Sequence, residues 1–116
     1  MKIFRNKKSL IKKIMGLSNI AFVPTMGALH KGHISLINKA KEESNNVLVS
    51  IYVNPKQFYA EKDFKNYPRK LNKDIDILKK NKVDYLYIPS DRDIYSLKPK
   101  TKIYLDKFSK ILCGKF

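Results

Sequence analysis

Apolar and polar positions along the chain define short apolar runs separated by stretches with helical spacing. Three runs, at 20–23, 47–53 and 83–88, have the length and the β-branched or aromatic content of buried strands. The second run is almost continuously apolar, as expected for a parallel strand buried on both faces. Apolar residues recur at helical spacing over 34–40 and 71–78. Alternating strands and helices predict an α/β fold with a parallel sheet and right-handed crossovers.

Shorter signals predict elements near the two ends of the chain. Residues 2–5 are predicted to form a short edge strand, and 103–105 a fourth strand. Ser9 is predicted as the N-cap of a helix over 10–15, which Gly16 ends.

The middle of the chain contains one predicted loop between two predicted helices. The first helix runs to about Glu43, and Pro68 suits the start of the second, which carries the spacing at 71–78. Residues 56–66 are polar and aromatic without clear periodicity, which predicts a loop at the carboxyl edge of the sheet.

The junction at 24–33, after the first buried run, contains two glycines and both histidines of the chain. A helix start has about four N–H groups without intrahelical partners and a partial positive charge. Gly27 and Gly32 lack Cβ and allow a ligand to approach the backbone. His30 and His33 are three residues apart, so both rings can point to one side of the loop, where imidazoles bind phosphate oxygens and move protons near neutral pH. The junction therefore predicts a polyphosphate site whose charge stabilisation strengthens in the transition state.

Other interpretations of the junction stay open at this point. A glycine-rich turn between a strand and a helix often serves tight packing alone. His-x-x-His is half of a metal site, but the chain has only two histidines, and Cys113 is its only thiol, which disfavours zinc. The glycines are not followed by Gly-Lys-Ser/Thr, so the segment is not a Walker loop. The spacing His-x-Gly-His after a strand resembles the nucleotide-binding motif of the nucleotidylyltransferase superfamily, whose members attack the α-phosphate of ATP and release pyrophosphate.

Composition limits the class of protein. A length of 116 residues is enough for one modest domain, and the apolar runs are too short to span a bilayer. Charged residues interrupt the apolar ones at the start of the sequence, so no secretory signal is predicted. One cysteine excludes an internal disulfide and fits a reducing compartment, so we expect a cytoplasmic protein.

The net charge of +15 raises the alternative of a basic nucleic-acid-binding domain without catalysis. Only three of the 25 basic residues are arginines, at positions 5, 69 and 92, and base recognition favours arginine. Six of the 13 aromatic residues fall inside the predicted strands, where they cannot stack on bases. The pattern therefore favours a solvated surface that attracts polyanions weakly, and no specific nucleic acid is predicted.

A second polar loop follows the second buried run. Asn54 and Gln57 carry paired donor and acceptor groups, which suit a small substrate with hydroxyl and carboxylate groups. A turn-forming Asn-Pro and a solvated glutamine are the alternative interpretation. Because ligands of parallel sheets bind outside the carboxyl ends of the strands, loops 24–33 and 54–67 should face one another across a crevice.

With both loops, the chain resembles the pantothenate synthetase family (pantoate–β-alanine ligase, AMP-forming). The matching pieces are Phe-Val-Pro-Thr-Met-Gly-Ala-Leu-His-x-Gly-His, Val-Ser-Ile-x-Val-Asn-Pro-x-Gln-Phe and Tyr-Pro-Arg, and the resemblance runs from about residue 2 to the last residue. It implies that pantoate attacks ATP with Mg²⁺ assistance, giving pantoyl adenylate and pyrophosphate, and that β-alanine then displaces AMP to form pantothenate. It also suggests a homodimer. Another adenylyl-transferring enzyme of the superfamily is the alternative.

The resemblance also implies roles for individual residues. His33 would be the catalytic proton donor, Gln57 would bind pantoate near the β-alanine position, and Asn54 would support that wall. Asp74 lies in a helix where the family can carry acidic metal-associated residues, but its neighbours are not metal ligands, so no metal ligand is assigned. The ATP site would be lined by eight consecutive residues: Met26, Gly27, Ala28, Leu29, His30, Lys31, Gly32 and His33.

The resemblance further implies that 1–116 is a partial nucleotide-binding, Rossmann-like domain with helices on both faces of its sheet. The family continues into later catalytic segments and a C-terminal domain that this sequence does not contain. We therefore expect a fragment or a truncated reading frame, and no formation of pantothenate by this chain alone.

Overall fold

The computed structural model describes residues 1–55 and 58–95. Within these ranges the strands form one parallel sheet in the order β1-β4-β3-β2. The strands are β1 (Lys2–Phe4), β2 (Ala21–Thr25), β3 (Val47–Ile51) and β4 (Tyr85–Tyr87). The predictions of a parallel α/β sheet and of an edge strand near the start of the chain are confirmed. The predicted strand at 103–105 lies outside the described residues.

Helices connect the strands and cover both faces of the sheet. One face packs against the second and fourth helices through a core that includes Val23, Val49, Leu86, Ile37 and Leu78, each at most 1% exposed. The first helix lies on the opposite face. The helices are α1 (Lys7–Ile14), α2 (Lys31–Glu43), α3 (Glu61–Asn66), α4 (Leu71–Lys80) and α5 (Asp91–Tyr95).

The opposite face has its own apolar cluster. Phe22 of β2 and Leu48 of β3 pack there with Phe4 and with Leu10 of α1. Successive side chains of a strand point to opposite faces, so neighbours such as Phe22 and Val23 enter different clusters. Strands that are apolar on both faces are what a parallel sheet between two helical layers requires.

The start of α1 differs from the prediction. The N-cap is Asn6, whose backbone is extended and whose side chain accepts a hydrogen bond from the Ser9 N–H at 3.1 Å. Ser9, the predicted cap, therefore lies in the first turn of the helix. Both residue types cap helices, and Asn6 lies about one turn earlier, which adds residues 7–9 to the helix. The C-cap is Met15, so the helix ends just before Gly16 as predicted.

Two predictions in the middle of the chain were wrong. Part of the loop predicted at 56–66 is the short helix α3, which is too short and too exposed to show apolar periodicity. Its first turn is acidic, which stabilises a helix N-terminus. Helix α4 begins at Leu71 with Lys70 as its N-cap, so Pro68 precedes the helix instead of starting it. The apolar spacing at 71–78 is confirmed as a helix.

Candidate functional site

The junction between β2 and α2 begins with a buried hydroxyl. The Oγ1 of Thr25 donates to the carbonyl of Ser50 at 2.8 Å and accepts from the N–H of Gly27 at 3.1 Å. Gly27 and Ala28 then adopt consecutive left-handed conformations, with φ of 79° and 51°. The chain therefore turns sharply at the carboxyl end of β2, and this turn leads directly into the first histidine.

A carboxylate from α4 forms hydrogen bonds with the backbone of this turn. Asp74 is 2% exposed, and its two oxygens accept from the N–H groups of Ala28 at 3.0 Å and Leu29 at 2.9 Å. No role is predicted for Asp74 from the sequence. The sequence does contain a signal, because Asp74 falls on the apolar face of α4, three residues after Leu71 and four before Leu78. A charged residue at such a position is buried only when it has partners.

The two histidines cap the helix that carries them. His30 is the N-cap of α2, and its Nδ1 accepts from the N–H of Gly32 at 3.0 Å. The N–H of His30 donates in turn to Nδ1 of His33 at 3.1 Å, and the ring centroids are 4.2 Å apart. The prediction that both rings lie on one side of the loop is confirmed. Because each Nδ1 is an acceptor, each neutral ring carries its proton on Nε2 and offers one N–H donor to a ligand.

The electrostatic surroundings keep His33 neutral. Partial burial lowers the pKa of His33 below its usual 6.5, and the nearby His30 lowers it further, while Asp74 acts in the opposite direction. At neutral pH His33 therefore offers a neutral Nε2–H donor. Positive charge at this site comes from the exposed Lys31 and from the start of α2.

The backbone of the junction differs from the expected open helix start. Asp74, Thr25 and the two imidazoles already accept hydrogen bonds from five backbone N–H groups, those of Gly27, Ala28, Leu29, His30 and Gly32. Of the N–H groups at the helix start, those of His30 and Gly32 therefore already have side-chain partners within the protein. A phosphate would therefore meet imidazole N–H groups first.

The remaining predicted site residues are placed as follows. The side chain of Leu29 is buried in the apolar core, so Leu29 could line a ligand site only through its backbone. Asn54 is half-buried and follows β3, whose Ile51 is the register partner of Thr25. Gln57 lies outside the described residues.

The loops after β2 and β3 meet, as the sequence predicted. The hydroxyl of Tyr67 donates to the carbonyl of Gly27 at 3.4 Å, so residues of both loops border the same edge of the sheet. In the described part of the chain, His, Cys, Asp and Glu residues form no group of three that could hold a metal ion. No helix within the described ranges is long and apolar enough to cross a membrane.

Comparison with known proteins identifies the family. The model of the pantoate-beta-alanine ligase family matches residues 2–116. The chain belongs to the pantoate–β-alanine ligase family. A pantothenate synthetase of Endomicrobium trichonymphae is 45% identical over 120 residues, and one of Pseudothermotoga lettingae is 43% identical over 108 residues. The alignments cover 100% and 93% of this chain, but the chain spans only 42% and 38% of the length of these relatives.

Solved ligases of the family have the same fold. The pantoate-beta-alanine ligase of Francisella tularensis, complexed with beta-gamma ATP and beta-alanine, aligns with a TM-score of 0.79 at 46% identity. The alignment covers 99% of this chain and 46% of that one. The pantothenate synthetase of Thermus thermophilus aligns with a TM-score of 0.71 at 35% identity, covering 83% of this chain and 34% of that one. The α/β architecture is thus that of part of these enzymes.

Proposed function

We propose that this chain is the ATP-binding part of an enzyme that ligates pantoate and β-alanine to pantothenate, with release of AMP and pyrophosphate. The observation that carries the proposal is the pair of helix-capping imidazoles, 4.2 Å apart at the carboxyl end of β2, in a member of this ligase family. The ATP and β-alanine ligands of the Francisella tularensis relative support the same choice of substrates. The domain is accordingly a Rossmann-like nucleotide-binding unit, and we expect it to work in the cytoplasm as part of a homodimer.

The proposed chemistry has two steps. A pantoate carboxylate oxygen attacks the α-phosphorus of ATP, and the bond to the bridging oxygen of pyrophosphate breaks to give pantoyl adenylate. The amine of β-alanine then attacks the acyl carbon, AMP leaves with the bonding electron pair, and the nitrogen of the new amide loses a proton to solvent. In the first step, negative charge develops on the phosphate oxygens, where the Nε2–H groups of His30 and His33 donate hydrogen bonds. Donors placed in advance at such a position lower the barrier electrostatically.

Four of the predicted residues have individual roles in this proposal. His33 is the catalytic donor to the departing pyrophosphate, and His30 binds the phosphates beside it. Gln57 and Asn54 form the pantoate wall on the second loop, and holding both substrates between two loops supplies proximity. The Mg²⁺ implied by the family does not fit a protein site among the described residues, since both oxygens of Asp74 already accept from backbone N–H groups. No step is therefore derived through the metal.

The proposed function can be tested in a fusion that adds the remaining part of the enzyme to this chain. The chain would be fused to the remaining C-terminal portion of the Endomicrobium trichonymphae relative, and pyrophosphate release from ATP would be measured with pantoate and with other acids. We expect release that depends on pantoate, and a decrease of about a hundred- to a thousandfold for His33→Ala. Release with a phosphorylated nucleotide in place of pantoate would instead indicate another adenylyl-transferring enzyme.

A second variant of the same fusion separates the two loops. Gln57→Ala is expected to raise the pantoate concentration needed for half-maximal rate more than the corresponding ATP concentration, because Gln57 is assigned to the acid pocket. Steady-state kinetics with each substrate varied in turn distinguishes the two effects. An unchanged dependence on pantoate would remove Gln57 from that pocket.

A further inference from the structure

Asp74 is the most deeply buried charged side chain of the described residues, and it contacts the loop that carries the candidate catalytic histidines. It is 2% exposed and lies in α4, far along the chain from the residues that it binds. Burying a carboxylate is unfavourable unless several donors compensate for the lost water. Here both oxygens are used by consecutive backbone N–H groups, those of Ala28 and Leu29.

We propose that Asp74 is a positioning residue of the nucleotide site, which sets the loop conformation that brings His30 and His33 together. This inference rests on the proposed function. The two hydrogen bonds hold Ala28 and Leu29 immediately before the N-cap His30, so they determine where α2 begins. Without them, the left-handed Ala28 has no compensation for a conformation that disfavours residues with a Cβ.

The geometry around Gly27 supports the same role. A Cβ built on Gly27 would lie 2.9 Å from Oδ2 of Asp74, so the carboxylate occupies the space that any other residue would need. Gly27 is therefore required because the carboxylate of Asp74 lies too close to where a Cβ would be. Asp74 also acts on the pKa of His33, which it raises against the effects of burial and of His30.

The first test uses amide hydrogen exchange by NMR on this chain. Asp74→Ala is expected to accelerate exchange of the Ala28 and Leu29 N–H groups by about tenfold or more for each lost bond, and Asp74→Asn, which keeps one acceptor oxygen, by less. The Val49 N–H in the centre of the sheet reports global unfolding. Asp76→Asn, on the exposed side of the same helix, is the matched control and should leave all of these rates unchanged.

The second test measures the histidines and the nucleotide. In Asp74→Asn the pKa of His33 should fall, and chemical-shift changes at both imidazoles on addition of ATP should weaken, whereas Asp76→Asn should match the wild type. Equal acceleration at Ala28 and Val49 would show a merely structural residue and overturn the proposal, as would unchanged loop exchange or unchanged ATP binding in Asp74→Ala. If ATP shifts no imidazole even in the wild type, the proposed function fails, while the exchange rates still decide the role of Asp74.

Discussion

Substituting Gly27 by alanine tests the left-handed turn on which the candidate site is built. Its φ of 79° makes the conformation about 1–2 kcal/mol less favourable for a residue with a Cβ. The added methyl would lie 2.9 Å from Oδ2 of Asp74 and 3.1 Å from Cγ2 of Ile51, closer than van der Waals contact. Relieving such overpacking destabilises the folded state by about a further 1–3 kcal/mol. Alanine also restricts the unfolded chain more than glycine does, which offsets about 0.4–1 kcal/mol of this loss. We therefore expect the free energy of unfolding to decrease by about 3 kcal/mol.

Urea unfolding followed by circular dichroism measures this loss. Gly16→Ala is the matched control, because a Cβ there would lie 3.6 Å from the Lys13 carbonyl oxygen, an ordinary contact. We expect the control to change stability by less than about 1 kcal/mol. If Gly27→Ala is as stable as Gly16→Ala, the reasoning from the turn is refuted. In an Asp74→Ala background the penalty should shrink, because the nearest atom to the new methyl is gone, and the double-mutant cycle should show a coupling of about 0.5–3 kcal/mol.

Three further predictions concern the histidine pair, the buried hydroxyl and the whole chain. The pKa of His33 is lowered in the folded protein, so the unfolded chain binds more protons as the pH falls below 6.5. The contribution of neutral His33 to stability is therefore present above pH 6.5 and is lost as the pH falls through the lowered pKa. The melting temperature of His33→Gln, measured against pH, should fall less steeply than that of the wild type. Thr25→Val should reduce the free energy of unfolding by about 1–3 kcal/mol, because it leaves the Gly27 N–H and the Ser50 carbonyl without their partner, and Thr25→Ser should retain most of it in the same urea titration. The chain by itself should form no pantothenate from ATP, pantoate and β-alanine. It spans 42% or less of the length of the two relatives, and an incomplete site admits water. Product detected by mass spectrometry would contradict this prediction.

The sequence predicted the features that depend on local periodicity. The apolar run at 47–53 predicted β3, and the spacing of Leu71, Ile75 and Leu78 predicted α4, because core-facing positions repeat with the period of the element. The predicted start of α1 was wrong because Asn6 and Ser9 are both good N-cap residues. Which of them caps the helix depends on the backbone conformation.

The candidate site was predicted in part for a similar reason. The two histidines belong to one short segment, so their convergence follows from a spacing of three residues. Their role as caps of their own helix, and the partners of the loop N–H groups, were not predicted, because the partner Asp74 lies in another helix. A contact between distant segments leaves only an indirect trace in the sequence, here an acidic residue on an apolar helix face.

The pairing of β1 with β4 constrains the order in which the chain assembles. Lys2 lies opposite Tyr85, and Phe4 opposite Tyr87, so the first strand has its partner at the far end of the described chain. By contrast, β2 and β3 are joined by the single helix α2 and need a much shorter loop closure. Because its loop closure is longer, we expect the β1–β4 pairing to form after the β2–α2–β3 unit. Lys2 and Arg5, in and next to this edge strand, disfavour its pairing with another chain before β4 is in place.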